Sequence, residues 1–425
     1  MDFKYPSMKA AAAPTYFKGH LPDKTFLAER ISYALDFAKR SILHLITEGH
    51  SAPEDAPWYV RPEKIIAEAG LLMVYAKAGE SHPTVKEALK ALYEVLEPLA
   101  RSKSVLGNIC LKPALALDYG CGHICLTYLG YFNALFDEAI EQALKAGKKT
   151  ERTPYRMLEQ AWLMKLWKQA DTKADVALWS GLGCLNQSPD LFSESTDDVY
   201  ATTHAAMYVF FDGQASAHLD TDALIGYLES WLVIYMDQQD YDIAGELLQA
   251  WALTGKPLTA IALFALKCLT EIEQRVGFLP APNLDLSMIE GREQNERRTY
   301  IYSVNYHTAF VMGLLCGSLL KQHEHLRPAA DDKPFHPELQ AMLKEELQTG
   351  KPAHWMEYYK PLEEHQKQNL LPWLYQVVLV RKIKEYQYEA VSKLLDRIKG
   401  TGLESLVITK QAQELLGRIG LVDRF

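Results

Sequence analysis

Three segments of this chain, 113–129, 202–211 and 304–320, are apolar on nearly every side of a helix. A helix with no polar face must be enclosed by other helices. A chain carrying three of them therefore has to wrap a second layer around them. Each enclosed segment has one histidine near its start: His123 in LDYGCGHICLTYLG, His204 in DDVYATTHAAMYVFFDG and His307 in YSVNYHTAFVMGLLCGSLL. Burying three polar rings without use is costly. The repetition predicts that the three rings converge on one polar patch at one mouth of a helical core.

The remaining pattern supplies the second layer. Residues 24–48 carry Phe26, Ile31, Leu35, Ile42 and Leu45 at helical spacing, and His82-Pro83 opens a stripe of Val85, Leu89, Leu92, Leu96 and Leu99. Residues 222–237, 339–347 and 391–398 repeat this one-sided theme. No run alternates apolar with polar residues and no hairpin signal is present. The expectation is an all-α chain of about fourteen helices. A weak internal resemblance links the stretch from Ala67, AEAGLLMVYAKAGESHPTVKEALKALYEVLE, to that from Asp242, DIAGELLQAWALTGKPLTAIALFALKCLTEI. Both read as buried helix, glycine-containing turn and outer helix, and units that cannot bury their own apolar face must stack or close.

Composition removes several classes of function. The net charge of −9, with no basic cluster longer than a pair such as Arg297-Arg298, argues against nucleic acid. No apolar stretch reaches bilayer length; the longest is 311–320. The N-terminal MDFKYPSMKAAAAPTYFKGH lacks the apolar region of a signal peptide. Six scattered cysteines beside apolar runs read as reduced thiols. Glycine-rich phosphate loops are absent, so no nucleotide cofactor is expected. The expectation is a cytoplasmic protein with a small-molecule substrate, no membrane span and a homodimeric state. Long connections fall at 51–62, 181–196, 277–299 and 327–337, and the second and third lead toward His204 and His307.

The polar residues form small constellations. Asp197, Tyr200 and His204 stand at i, i+3 and i+7, which is one helix face. Asp197 or Asp198 is the candidate proton donor, with His204 and His307 as base or orienting groups; alternatively Thr196 or Asp197 caps the helix. Tyr119 precedes His123 as Tyr200 precedes His204, while Ser303 takes that place before His307. A tyrosine one turn away can fix an imidazole tautomer. Tyr208, Phe211, Tyr306 and Phe310, with Tyr119 and His123, are the candidate substrate-binding residues. A zinc-type site could draw on His204, His307, Cys184 and His123, although none of these forms a tight chelating pair.

This alternation of enclosed and one-sided helices resembles the α/α toroid, in which inner and outer helices alternate around a funnel. Terpenoid cyclases, protein prenyltransferase β-subunits and lanthionine cyclases share that architecture. The segments 198–213 and NYHTAFVMGLL from Asn305 also resemble an uncharacterised bacterial toroid-like family. The resemblance implies a toroid body over 1–330 and a C-terminal helical extension over 331–425. It implies an enzyme of specialised metabolism that acts on a small, largely apolar substrate by acid/base-assisted cyclisation, elimination or isomerisation. A metal-dependent enzyme of the same fold and a non-catalytic helical-repeat binding protein are the alternatives. The chain departs from these families at identifiable places. Ser195-Thr196-Asp197-Asp198 lacks the first acid of the DxDD motif of protonating cyclases, and their Gln/Trp repeats are missing. The adjacent Cys-His-Gly of lanthionine cyclases is missing too.

Overall fold

The structure is a computed structural model that describes residues 21–193, 195–212, 219–328, 336–349 and 353–422. Among these the chain is all-α, with twenty α-helices and no β-strand. The first half comprises α1 (Lys24–Ile42), α2 (Pro62–Ala76), α3 (Pro83–Ala100), α4 (Lys103–Leu111), α5 (Ala116–Tyr119), α6 (Cys121–Tyr128), α7 (Ala134–Lys145), α8 (Pro154–Lys168), α9 (Lys173–Leu182) and α10 (Thr196–Val209). Then come α11 (Thr221–Gln238), α12 (Tyr241–Leu253), α13 (Ala260–Val276) and the long α14 (Gln294–Lys321). The chain ends with α15 (Pro337–Thr349), α16 (Met356–Tyr359), α17 (Glu364–Asn369), α18 (Leu371–Lys384), α19 (Tyr388–Arg397) and α20 (Val407–Val422). The excess over fourteen comes largely from pieces such as α5, α16 and α17, which are too short to show a helical period.

Six helices pack neighbour to neighbour in a closed cycle. α2 meets α6, α6 meets α8, α8 meets α10, α10 meets α12, α12 meets α14, and α14 returns to α2. α1 packs on α14 and α3, and α11 and α13 pack on α12. α18 and α20 pack on α11. The connection from Arg327 falls mostly on residues 329–335, outside the described residues, as does the N-terminal segment.

Within the cycle, burial is heaviest along α12 and α14. Every residue of α12 is buried, as is nearly all of 300–319 in α14. α3 buries one stripe, Val85, Leu89, Leu92, Leu96 and Ala100, and exposes its charges. Each fully enclosed leucine contributes roughly 1.5–3 kcal/mol. Two glycines set how closely the helices approach. A Cβ on Gly245 would stand 2.6 Å from Val311 Cγ1, and one on Gly317 would stand 2.7 Å from the Tyr75 carbonyl oxygen. The α12–α14 and α2–α14 contacts depend on those missing atoms.

The segment 113–129 is not one helix. It is a 3-10 turn, then α5, then α6, with the break at Gly120. A Cβ there would meet Ile140 Cδ1 of α7 at 2.7 Å. All six cysteines are free. No helix among the described residues is long and apolar enough to cross a membrane.

Candidate functional site

The centre is built on α12. This helix is enclosed on all sides, yet it carries Asp242, Glu246 and Gln249, each 3–4% exposed. Their spacing of i, i+4 and i+7 puts them on one face. Carboxylates are almost never fully buried unless paired, and here imidazoles from two other helices provide the pairing. His307 of α14 places Nε2 3.5 Å from Asp242 Oδ2 and 3.4 Å from Glu246 Oε1. His204 of α10 places Nε2 3.5 Å from the same Glu246 oxygen. On its other side, His307 Nδ1 lies 3.0 Å from Glu68 Oε2 of α2.

Further contacts hold the carboxylates. The Tyr200 hydroxyl donates to Asp242 Oδ2 at 2.6 Å, and the Thr203 hydroxyl donates to Glu246 Oε2. Lys64 Nζ stands 3.6 Å from Glu68 Oε1. On α12, Asp242 Oδ1 and Gln249 Nε2 are buried without a hydrogen-bond partner among the described residues.

The electrostatics follow from this crowding. Burial alone would push Glu246 up, but the two imidazoles outweigh it and hold the carboxyl well below its usual range. Burial would likewise raise Glu68, and the His307 ring beside it prevails and lowers it. Burial would lower His307, and Asp242 and Glu68 raise it well above its usual value. His204 is raised by Glu246 against the same burial. Burial and the Asp242 carboxylate together push the Tyr200 phenol far up.

This centre lies on the wall of a pocket of about 830 Å³ to which every helix of the cycle contributes: Glu68, Cys121, Glu159, His204, Glu246 and His307. Residues three positions further along four of these helices, Leu71, Met207, Gln249 and Phe310, also line it. They stand one turn beyond the centre and are mostly apolar. The rim is charged, with Arg61, Lys64, Asp118, Arg156 and Asp197. The pocket thus joins an apolar lower wall, a titratable ring and a charged mouth.

Only two of the three histidines meet. His123 is fully buried and lies outside the pocket. Arg101 Nε donates to its Nδ1 at 3.1 Å, and its Nε2 stands 2.9 Å from Asp137 Oδ1. A guanidinium has no acceptor, so Nδ1 must be unprotonated and the ring neutral. Burial lowers its pKa, and Asp137 only partly opposes this. The expectation of a triple convergence, of His123 as a substrate contact and of His123 as a metal ligand is therefore corrected. The Gly120 break and the packing of α7 direct the ring to Asp137.

The other sequence candidates divide similarly. Tyr119, Tyr200, Tyr208, Phe310 and Asp197 line the pocket with His204 and His307. Tyr119 accepts from Lys112 Nζ at 2.9 Å, and Tyr208 donates to Glu159 Oε1 at 3.2 Å. Asp198 does not line the pocket: it closes a capping box with Ser195, its Oδ2 accepting from Ser195 Oγ at 2.6 Å. Ser195 is the N-cap, not Thr196 or Asp197. Phe211 packs edge-on against Tyr75, Tyr128 and Trp162, away from the lining. Tyr306 is buried beside His307 and does not line the pocket, although the Glu68 and Asp242 carboxylates, after burial, push its phenol up. Cys184 sits in a 3-10 turn against Thr202, on a different face of α10 from His204, so it does not join the centre.

Sequence reasoning missed Glu68, Asp242 and Glu246. A signal existed. YDIAGELLQAWAL holds two acids one turn apart in an otherwise apolar helix, and IIAEAGLL holds one.

The fold and site define a helical protein with a buried histidine–carboxylate centre opening into one pocket. Residues 32–317 match the family described as "Domain of unknown function (DUF6895)", and the chain belongs to it. The match takes in every residue of the centre. No curated protein and no solved structure matches the chain.

Proposed function

We propose that this protein is an enzyme that converts a small molecule in the pocket by acid/base-assisted elimination, cyclisation or isomerisation. One observation carries the reading: His204 and His307, from separate helices, both reach the same Glu246 oxygen on the wall of an open pocket. Such groups, held at fixed positions beside a cavity, can take up and return a proton at a bound substrate. The lower wall of Leu71, Met207, Phe310 and Leu314 suits an apolar body, and the charged rim suits a polar end. Asp197, the candidate proton donor, lines the same pocket. The closed cycle of six helices supports an α/α toroid with the pocket in its hollow.

The test is turnover of an unfractionated small-molecule extract followed by mass spectrometry. Wild-type protein should consume a compound that His204→Ala and His307→Ala leave untouched. Equal consumption by both variants would remove the assignment.

A further inference from the structure

We propose that Asp242, Glu246 and His307, with His204 beside them, form the binding site for one divalent first-row transition ion of the zinc type. The inference rests on the reading of this centre as the functional one and changes the part of its imidazoles: with an ion bound they would hold or flank it, and ion-polarised water would supply the acid/base chemistry.

The spacing of the donor atoms is the first argument. The three contacts between imidazole Nε2 and carboxylate oxygen are 3.4, 3.5 and 3.5 Å. Good hydrogen bonds to nitrogen span about 2.7–3.2 Å. A tetrahedral ion with ligand bonds of about 2.0–2.1 Å holds its ligand atoms about 3.3–3.4 Å apart. The observed contacts match the edges of a coordination polyhedron better than they match hydrogen bonds. One ligand atom each from Asp242, Glu246 and His307 lies within 4.8 Å of the others, and His204 stands beside this group, 3.5 Å from the Glu246 oxygen.

The surrounding contacts are the second. His307 turns Nδ1 to Glu68, and a metal-bound imidazole is commonly oriented by a carboxylate on its far nitrogen. The Tyr200 and Thr203 hydroxyls hold the two candidate carboxylate ligands from outside.

The charge is the third. Glu68, Asp242 and Glu246 bring three carboxylates to two imidazoles, and Lys64, 3.6 Å from Glu68, supplies one positive charge, so with neutral rings two negative charges stay uncompensated. Burying uncompensated charge is expensive. Asp242 Oδ1 is buried without a hydrogen-bond donor among the described residues, so this carboxylate keeps acceptor capacity at the centre. With an ion present the rings can be neutral and direct their lone pairs at it. Imidazole with carboxylate, and no thiolate, suits zinc, iron, nickel or manganese.

A second group, His44, Glu48 and His50, has a superficially similar composition. There Glu48 is exposed, and His44 Nε2 is already engaged with Thr299 at 3.0 Å. It serves as the control.

The experiment is calorimetric titration of chelator-stripped full-length protein with zinc alone. Wild type should bind one equivalent. Glu246→Gln, equal in volume, should weaken binding by more than about 100-fold, and Glu68→Gln by about 10–100-fold. His50→Ala should leave it unchanged. A cobalt-loaded wild-type sample should show tetrahedral d–d absorption, a reading that needs no variant to fold. Folded wild type that binds no stoichiometric ion would overturn the site. So would binding that survives Glu246→Gln and is lost in His50→Ala. Turnover that requires His204 and His307 in ion-free protein overturns the ion and leaves the acid/base reading standing. Zinc bound here without any turnover supports the ion and removes only the enzymatic reading.

Discussion

His123 and His307 stand at matching places in similar apolar segments, yet their surroundings are opposite. Both nitrogens of His123 are satisfied inside the fold, by the Arg101 guanidinium and by Asp137, and Asp137 also takes the Trp167 indole N–H. His307 has one nitrogen satisfied by Glu68, while the other faces two carboxylates at 3.4 and 3.5 Å beside a pocket. A buried polar ring is structural when its partners saturate it. It is available for chemistry when they do not, because the unsatisfied atoms can be completed only by something from outside.

Several changes would break or sharpen that contrast. The largest effect is expected at the open centre. His204→Ala and His307→Ala should each lower turnover of the identified compound by roughly 10²–10⁴-fold, the usual contribution of a positioned acid or base. Removing either ring strips buried carboxylates of a partner, so the unfolding midpoints should fall, but both variants should remain folded at the assay temperature. Steady-state kinetics with thermal unfolding checks both halves, and a variant that merely unfolded would fail the second.

At the closed centre the expected pattern reverses. His123→Ala leaves Asp137 and buried Arg101 without their shared partner and should cost about 3 kcal/mol of stability. Turnover per folded molecule should remain within about twofold of wild type. A large catalytic loss in a stable His123→Ala protein would erase the distinction drawn here.

The pH dependence of stability sharpens it further. The folded state holds His123 below its ordinary value of 6.5, by burial first and with Asp137 only partly opposing. The unfolded chain therefore takes the proton more readily. This residue's stabilising contribution is complete above pH 6.5 and is lost as the pH falls below it, by at most about 1.4 kcal/mol per pH unit. His123→Gln offers the same acceptor and donor without titrating, so its denaturant midpoint should fall less than that of wild type between neutral and mildly acid pH. An identical fall in both proteins would mean that the ring is not held neutral.

The smallest effect is expected at the start of α10. Ser195→Ala removes a cap and should cost about 1 kcal/mol. Asp198→Asn should loosen the same box and leave turnover unchanged, whereas Asp197→Asn at the pocket rim should slow it. Parallel melting curves and rate measurements separate the two neighbouring acids.

Much of the architecture was legible because enclosure leaves a local mark. Residues 202–211 and 304–320 carry apolar side chains on every face, and such segments can only be inner helices. The histidines on them were visible for the same reason. Their partners were harder to see. Glu68 and His307 are 239 positions apart, and Tyr200 and Asp242 are 42 apart. Nothing in either local stretch names the other; the closed packing of α2, α10, α12 and α14 does. The acids of α12 did leave a trace, two carboxylates one turn apart in an apolar helix, but attention to histidines alone passes over it. His123 misled for a complementary reason. Its local pattern repeats that of His204, and only the Gly120 break and the placement of Asp137 on α7 turn it away.

The most direct test observes all of these rings at once. Long-range ¹H–¹⁵N spectra of imidazole-labelled protein at neutral pH, before and after one equivalent of zinc, report the tautomer and lone-pair state of each histidine. The account predicts that His123 is a neutral ring protonated at Nε2 and does not move. His204 and His307 should shift together, with His307 becoming metal-bound at Nε2 and protonated at Nδ1. Zinc-induced shifts at His123, or unmoved His204 and His307 signals in a folded sample, would contradict it.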